Sequence, residues 1–135
     1  MKKILLILLL AGVSSCTENF TETDVLGIYT PIDYKNSYDT IHLNKNGVYQ
    51  RRVYDINKRK VLDLKSKHEL QNKGSQIFFR SFFLNLDRDL VKFPELVKDT
   101  TGGGTFNLER FKGEIGFCTG YYSADLPNQN CYHKQ

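Results

Sequence analysis

The chain of 135 residues has no apolar run long enough to cross a bilayer. Its longest, Ile4 to Val13, covers ten positions. A helix of that length reaches about 15 Å into a hydrocarbon core about 30 Å thick, which excludes a permanent transmembrane anchor. Strong charge of either sign is also missing. The 19 basic and 15 acidic side chains are dispersed, without the clustered basic face that nucleic acid requires. Gly-x-Ser-x-Gly and His-Glu-x-x-His are both absent, so neither nucleophile elbow nor metalloprotease helix is encoded. Gly102-Gly103-Gly104-Thr105 lacks the Gly-Lys-Ser/Thr ending of a phosphate loop, and reads together with Thr100 and Thr101 as a flexible loop. Asp87 and Asp89 lack the further acids and closing glutamate of a calcium loop and read as solvated charges. There is no internal repeat and no motif for a cofactor. These absences point away from an enzyme.

What is present starts at the amino terminus. Lys2 and Lys3 precede the apolar run, which ends in Val13-Ser14-Ser15-Cys16. A charged start, a short apolar core and small residues before a cut describe a secretory signal peptide. Val13-Ser14-Ser15-Cys16 also resembles the lipobox of bacterial lipoproteins: an aliphatic residue, a small or hydroxylated one, a small one, then cysteine. The resemblance implies diacylglycerol in thioether linkage to Cys16, cleavage before it and acylation of the new amino terminus. The membrane is then the first partner. An ordinary cleaved signal, with Cys16 a chance neighbour, is the alternative. The expected organisation is a signal peptide over 1–15, a lipidated cysteine and tether over 16–24, and a single β-domain over 25–135. The stretch Thr17 to Asp24 is polar and mildly acidic with one aromatic, Phe20. Its eight residues would reach at most about 28 Å. Thr17 stands where inner-membrane retention often uses Asp, so the resemblance implies an outer-membrane address, on either its periplasmic or its exposed face.

Without residues 1–15 the chain keeps 135 − 15 = 120 residues and 19 − 2 = 17 basic side chains against 15 acidic ones. That length suits one domain with a real core. Cys118 and Cys131 remain as an even pair in a compartment where disulfides persist, and a bond between them is expected. A metal site using these two cysteines and His133 is the competing arrangement.

The rest reads as short strands divided by turns. Val25 to Tyr29 suits a first strand, ending at Pro31. Tyr38 to Leu43 alternates, and Asn44-Lys45-Asn46-Gly47 turns it back into Val48 to Tyr54. Asp55 to Lys60 is a charged loop. Leu62, Leu64, Ser66, His68 and Leu70 occupy every second position, the pattern of a strand with one face inward. Asn72-Lys73-Gly74 turns the chain again, and Gln76 to Leu84 is apolar on both faces, as a strand covered on both sides would be. Asp87 to Val97, broken by Pro94, is expected to supply one or two helical turns as that cover. Thr105 to Phe111 and Glu114 to Thr119 flank Lys112-Gly113 as a further hairpin.

This succession predicts an all-β fold: an antiparallel meander closing into a small barrel or half-barrel, with one or two short helical turns. Gly27-Ile28-Tyr29, the hairpin Asn46-Gly47-Val48-Tyr49 and the meander from Leu62 to Leu84 resemble the small lipocalin-like domains of bacterial lipoproteins, over about half of the mature chain. Lipocalins carry Gly-x-Trp in the first strand. Here Tyr29 takes that place and the chain has no Trp, which leaves a filled interior and a ligand-holding one both open.

The candidate ligand-binding residues are Tyr49, Arg51, His68 and Arg80. His68 falls on an inward face, where it serves either a structural hydrogen bond or a ligand contact. Arg51 shares a face with Tyr49 and Val53, and Arg80 interrupts the face of Phe78 and Phe82. Such arginines either meet an anionic ligand as a fork, reach the rim, or pair with a carboxylate such as Asp63 or Glu109. The functional expectation is a structural or protein-interaction module that binds another envelope protein. The alternative is a lipocalin-like binder of an apolar or acidic small molecule. Nine Phe and eight Tyr are enough to fill a small barrel.

Overall fold

The computed structural model describes residues 18–32, 38–82, 93, 95, 102–120 and 130–135. Eight strands, β1 Gly27–Pro31, β2 Tyr38–Asn44, β3 Val48–Tyr54, β4 Lys60–Gln71, β5 Gln76–Arg80, β6 Gly103–Phe111, β7 Glu114–Cys118 and β8 Cys131–Lys134, form a closed antiparallel barrel. Each strand pairs with the next in sequence, and β8 returns to β1 with Tyr29 opposite Lys134 and Pro31 opposite Tyr132. Closure leaves no strand of the barrel without a partner on both sides.

Local sequence accounts for most of these elements. In β4, Leu62 and His68 are buried while Asp63, Lys65, Lys67 and Glu69 are exposed. The β2–β3 hairpin pairs Asn44 with Val48 across a turn in which Asn46 and Gly47 both take positive φ, the backbone that Asn-Gly adopts at least cost.

Three boundaries differ from the sequence expectation. Val25 does not open β1; it ends a short helix, α1 Glu22–Val25, capped by Thr21 and Asp24. The run from Gln76 stops as a strand at Arg80, because Ser81 takes a φ of 55° and Phe82 turns into the core. Gly103 and Gly104 belong to β6, opposite Arg80 and Phe79. A Cβ at Gly103 would stand 2.9 Å from the Phe79 carbonyl oxygen, so glycine permits the pairing that its composition disguised as a loop. The expected helical turns over Asp87 to Val97 lie outside the described residues, apart from 93 and 95.

Because a meander reverses direction at each turn, the β2–β3, β4–β5 and β6–β7 turns share one end of the barrel with the chain that enters β1. This floor is closed by Phe20, which is buried in the core cluster with Val25 and Tyr29. The Phe20 N–H donates to the Gly74 carbonyl at 3.0 Å, and the Arg110 guanidinium lies 5.4 Å above its ring. Gly74 has a φ of 89° and the Phe20 backbone occupies the place its Cβ would need, so this contact requires glycine on two counts. Arg110 also pairs with Glu18 at 2.7 Å. The expected tether is therefore, from Glu18 onward, part of the domain: one aromatic among polar residues gave it too little local signal, yet burying that ring closes the barrel.

At the opposite end, Cys118 and Cys131 face each other on β7 and β8 and are joined by a disulfide. The bond takes both thiols, which removes the alternative of a metal site with His133.

Candidate functional site

The barrel interior was the place to look for a ligand, and its own side chains occupy it. Phe79 is the hub: its ring centre lies 5.0 Å from Tyr49, 4.9 Å from Phe82 and 5.3 Å from Phe117. Phe117 stacks in turn on Tyr132 at 5.5 Å. Pairs of this kind add about 0.5–1.5 kcal/mol each beyond the area they bury. Burial also pushes the Tyr49 hydroxyl up to about 12, with Arg51 pulling weakly the other way. That hydroxyl donates to the Arg80 carbonyl at 2.8 Å, so Tyr49 ties β3 to the end of β5 across the interior.

Arg51 is fully buried, and its partner is Asp39 rather than Asp63 or Glu109. Its Nε and Nη2 donate to the two Asp39 carboxylate oxygens at 3.0 and 2.7 Å. The Tyr132 hydroxyl accepts from Arg51 at 2.9 Å and donates to Asp39 at 2.8 Å. The guanidinium also lies 4.6 Å over the Phe82 ring. Burial works against its charge, but Asp39 and Tyr132 outweigh that and hold Arg51 ionised above its ordinary range. Three strands, β2, β3 and β8, thus meet in one ionic knot. The alternation that put Ile41 and Leu43 inward also puts Asp39 inward, and an inward acid beside an inward arginine on the next strand is the signal by which this pair could have been found.

His68 is buried with its Nε2 3.2 Å from the Asn44 carbonyl, while its Nδ1 has no hydrogen-bond partner among the described residues. Arg80 is exposed on the outer wall. The four candidate residues therefore do not converge. Tyr49 and Arg51 are interior and engaged, whereas His68 and Arg80 line an outer groove of about 230 Å³ together with Asn46, Gly47, Lys67, Glu69 and Phe78. A second hollow of about 350 Å³ continues past His68 toward Glu22 and Leu70. These hollows exist because β3 ends its pairing at Lys67 while β4 runs on to Gln71 against β5. Among the described residues, no group of three or more His, Cys, Asp or Glu side chains is placed to hold a metal ion. Cys16 lies outside the described residues.

No protein-family model, curated protein or solved structure matches this chain.

Proposed function

We infer that the chain is a membrane-anchored lipoprotein of the bacterial envelope, lipidated at Cys16 and sorted to the outer membrane, whose barrel works as a non-catalytic protein-interaction module. The observation that carries this reading is the occupied interior. An eight-stranded barrel is just wide enough for side chains to fill, and here Tyr29, Tyr49, Phe79, Phe117 and the Asp39–Arg51 pair fill it. Recognition then falls to the outer surface, where Ile28 is 47% and Ile56 79% exposed. The meander barrel is compatible with the lipocalin-like resemblance in architecture.

The outer groove favours a second reading, a binder of a small acidic molecule. Lys67 and Arg80 supply cations, Phe78 an apolar wall and Asn46 an amide, a combination that suits a carboxylate on an apolar body.

The deciding experiment uses the full-length protein in its host, with a photo-crosslinking residue at position 28 or 56. One protein captured at either position, and lost when the crosslinker is moved to the exposed Lys58, supports the interaction module. A small molecule that co-purifies with the detergent-extracted protein and disappears in Arg80→Ala transfers support to the second reading. Neither capture nor ligand would sink both.

A further inference from the structure

The three turns of the barrel floor share one feature. Each carries a lysine at its tip: Lys45 between β2 and β3, Lys73 between β4 and β5, and Lys112 between β6 and β7. All three side chains are exposed. Lys73 and Lys112 hold φ angles of 58° and 53°, the left-handed region in which Gly or Asn sits more cheaply.

The acids of the same end are arranged differently. Glu18 is paired with Arg110, and Asp24 is held by the Thr21 hydroxyl and backbone, which lower its pKa. Glu22 belongs to α1, and Glu69 and Glu114 to strands, and all three are exposed. Each of the three turn tips of the floor thus presents an exposed lysine.

Chain length sets where this end can be. Phe20 is fixed in the floor, and four residue steps separate it from Cys16, so an anchor at Cys16 lies at most about 14 Å from the buried ring's backbone. The tether expected from sequence would have allowed twice that reach. With most of the segment consumed by docking, the floor stands within one or two Debye lengths of the headgroups, where a lysine is attracted to anionic lipid.

We propose that the barrel floor is a membrane-docking surface, with Lys45, Lys73 and Lys112 seated on the phosphates of anionic lipid headgroups and the disulfide end pointing away. This rests on the lipid anchor inferred above. It places the β3–β4 loop, where Ile56 stands, at the end away from the membrane.

The test uses the full-length lipidated protein in bilayer nanodiscs, one set of phosphatidylcholine and another with about one quarter phosphatidylglycerol. A water-soluble amine-acylating reagent is applied, and labelling is read lysine by lysine by mass spectrometry. Lys65, exposed on the barrel wall, and Lys58, exposed in the β3–β4 loop at the far end, are internal references. Lys45, Lys73 and Lys112 are expected to label about fivefold more slowly than the references in anionic discs, with less protection in neutral ones. The same spectra report the acyl mass on the Cys16 peptide. Lipidated Cys16 with tip lysines labelled as fast as Lys58 and Lys65 overturns the docking surface and leaves the anchor standing. Protection at Lys58 or Lys65 instead means the barrel lies on its wall or its far end, which also overturns it. An unmodified Cys16 removes the anchor and the proposal together.

Discussion

Asp39→Ala is the sharpest perturbation of this barrel. Arg51 and Asp39 have side chains 0% and 1% exposed, and they share two hydrogen bonds of 3.0 and 2.7 Å. Deleting the carboxylate leaves a fully buried guanidinium without its carboxylate counter-charge. Breaking a buried pair on one side costs about 3–5 kcal/mol, most of it the penalty of the stranded charge. With a urea dependence of about 2 kcal/mol per molar, the unfolding midpoint should fall by about 1.5–2.5 M. Replacing the whole knot is a different matter. Asp39→Leu with Arg51→Met and Tyr132→Phe removes both charges and the hydroxyl while keeping volume, and should leave stability within about 1 kcal/mol of the parent or above it. Urea unfolding followed by circular dichroism measures both, since the chain has no Trp to report by fluorescence. An Asp39→Ala cost below about 1 kcal/mol would refute the reasoning, because a buried charge left without its counter-charge costs several times that.

Three further outcomes follow from the same geometry. Phe20→Ala should cost about 3–5 kcal/mol as a buried aromatic, and Gly74→Ala more than about 1 kcal/mol; because both undock one segment, their double variant should cost clearly less than the sum in a denaturation cycle. Replacing Cys118 and Cys131 by Ser opens a crosslink of sequence separation 13 and should cost about 3 kcal/mol, with amide exchange rising first in residues 131–134 and their β1 partners 29–31. Stability should fall in alkali. Tyr49 ionises at 10.0 when unfolded and about 12 in the fold, so its contribution is complete below pH 10.0 and lost as pH rises toward about 12. Tyrosinate absorbance lagging behind that of the urea-unfolded chain would bear this out, and coincident titrations would contradict it.

The strands that could be read in advance are those with a signal inside a few residues. The Asn46-Gly47 turn and the alternation from Leu62 to Leu70 specify their own conformation, and they place β2 to β4 within a residue or two of where they stand. β8 could not be read that way. Cys131–Lys134 is four residues long, and it is a strand because β1, about a hundred positions earlier, offers it an edge. Phe20 was hidden for a similar reason: its partners, Gly74 and Arg110, arrive from distant turns. Arg51 was read as sharing a face with Tyr49 and Val53, and that face is the interior, but its partner depends on the β2–β3 register, which sets Asp39 diagonally across from it.

Sequence by itself determined the all-β meander and led to the expectation of a lipid anchor at Cys16, because turn chemistry, period-two patterning and a short linear motif all act over neighbouring residues. Only the tertiary structure decided that the barrel closes, that Asp39, Arg51 and Tyr132 fill its interior with an ionic knot, and that the supposed tether is its floor. Those outcomes depend on which distant side chains share a volume, and that is settled by closure and register, which no local window contains.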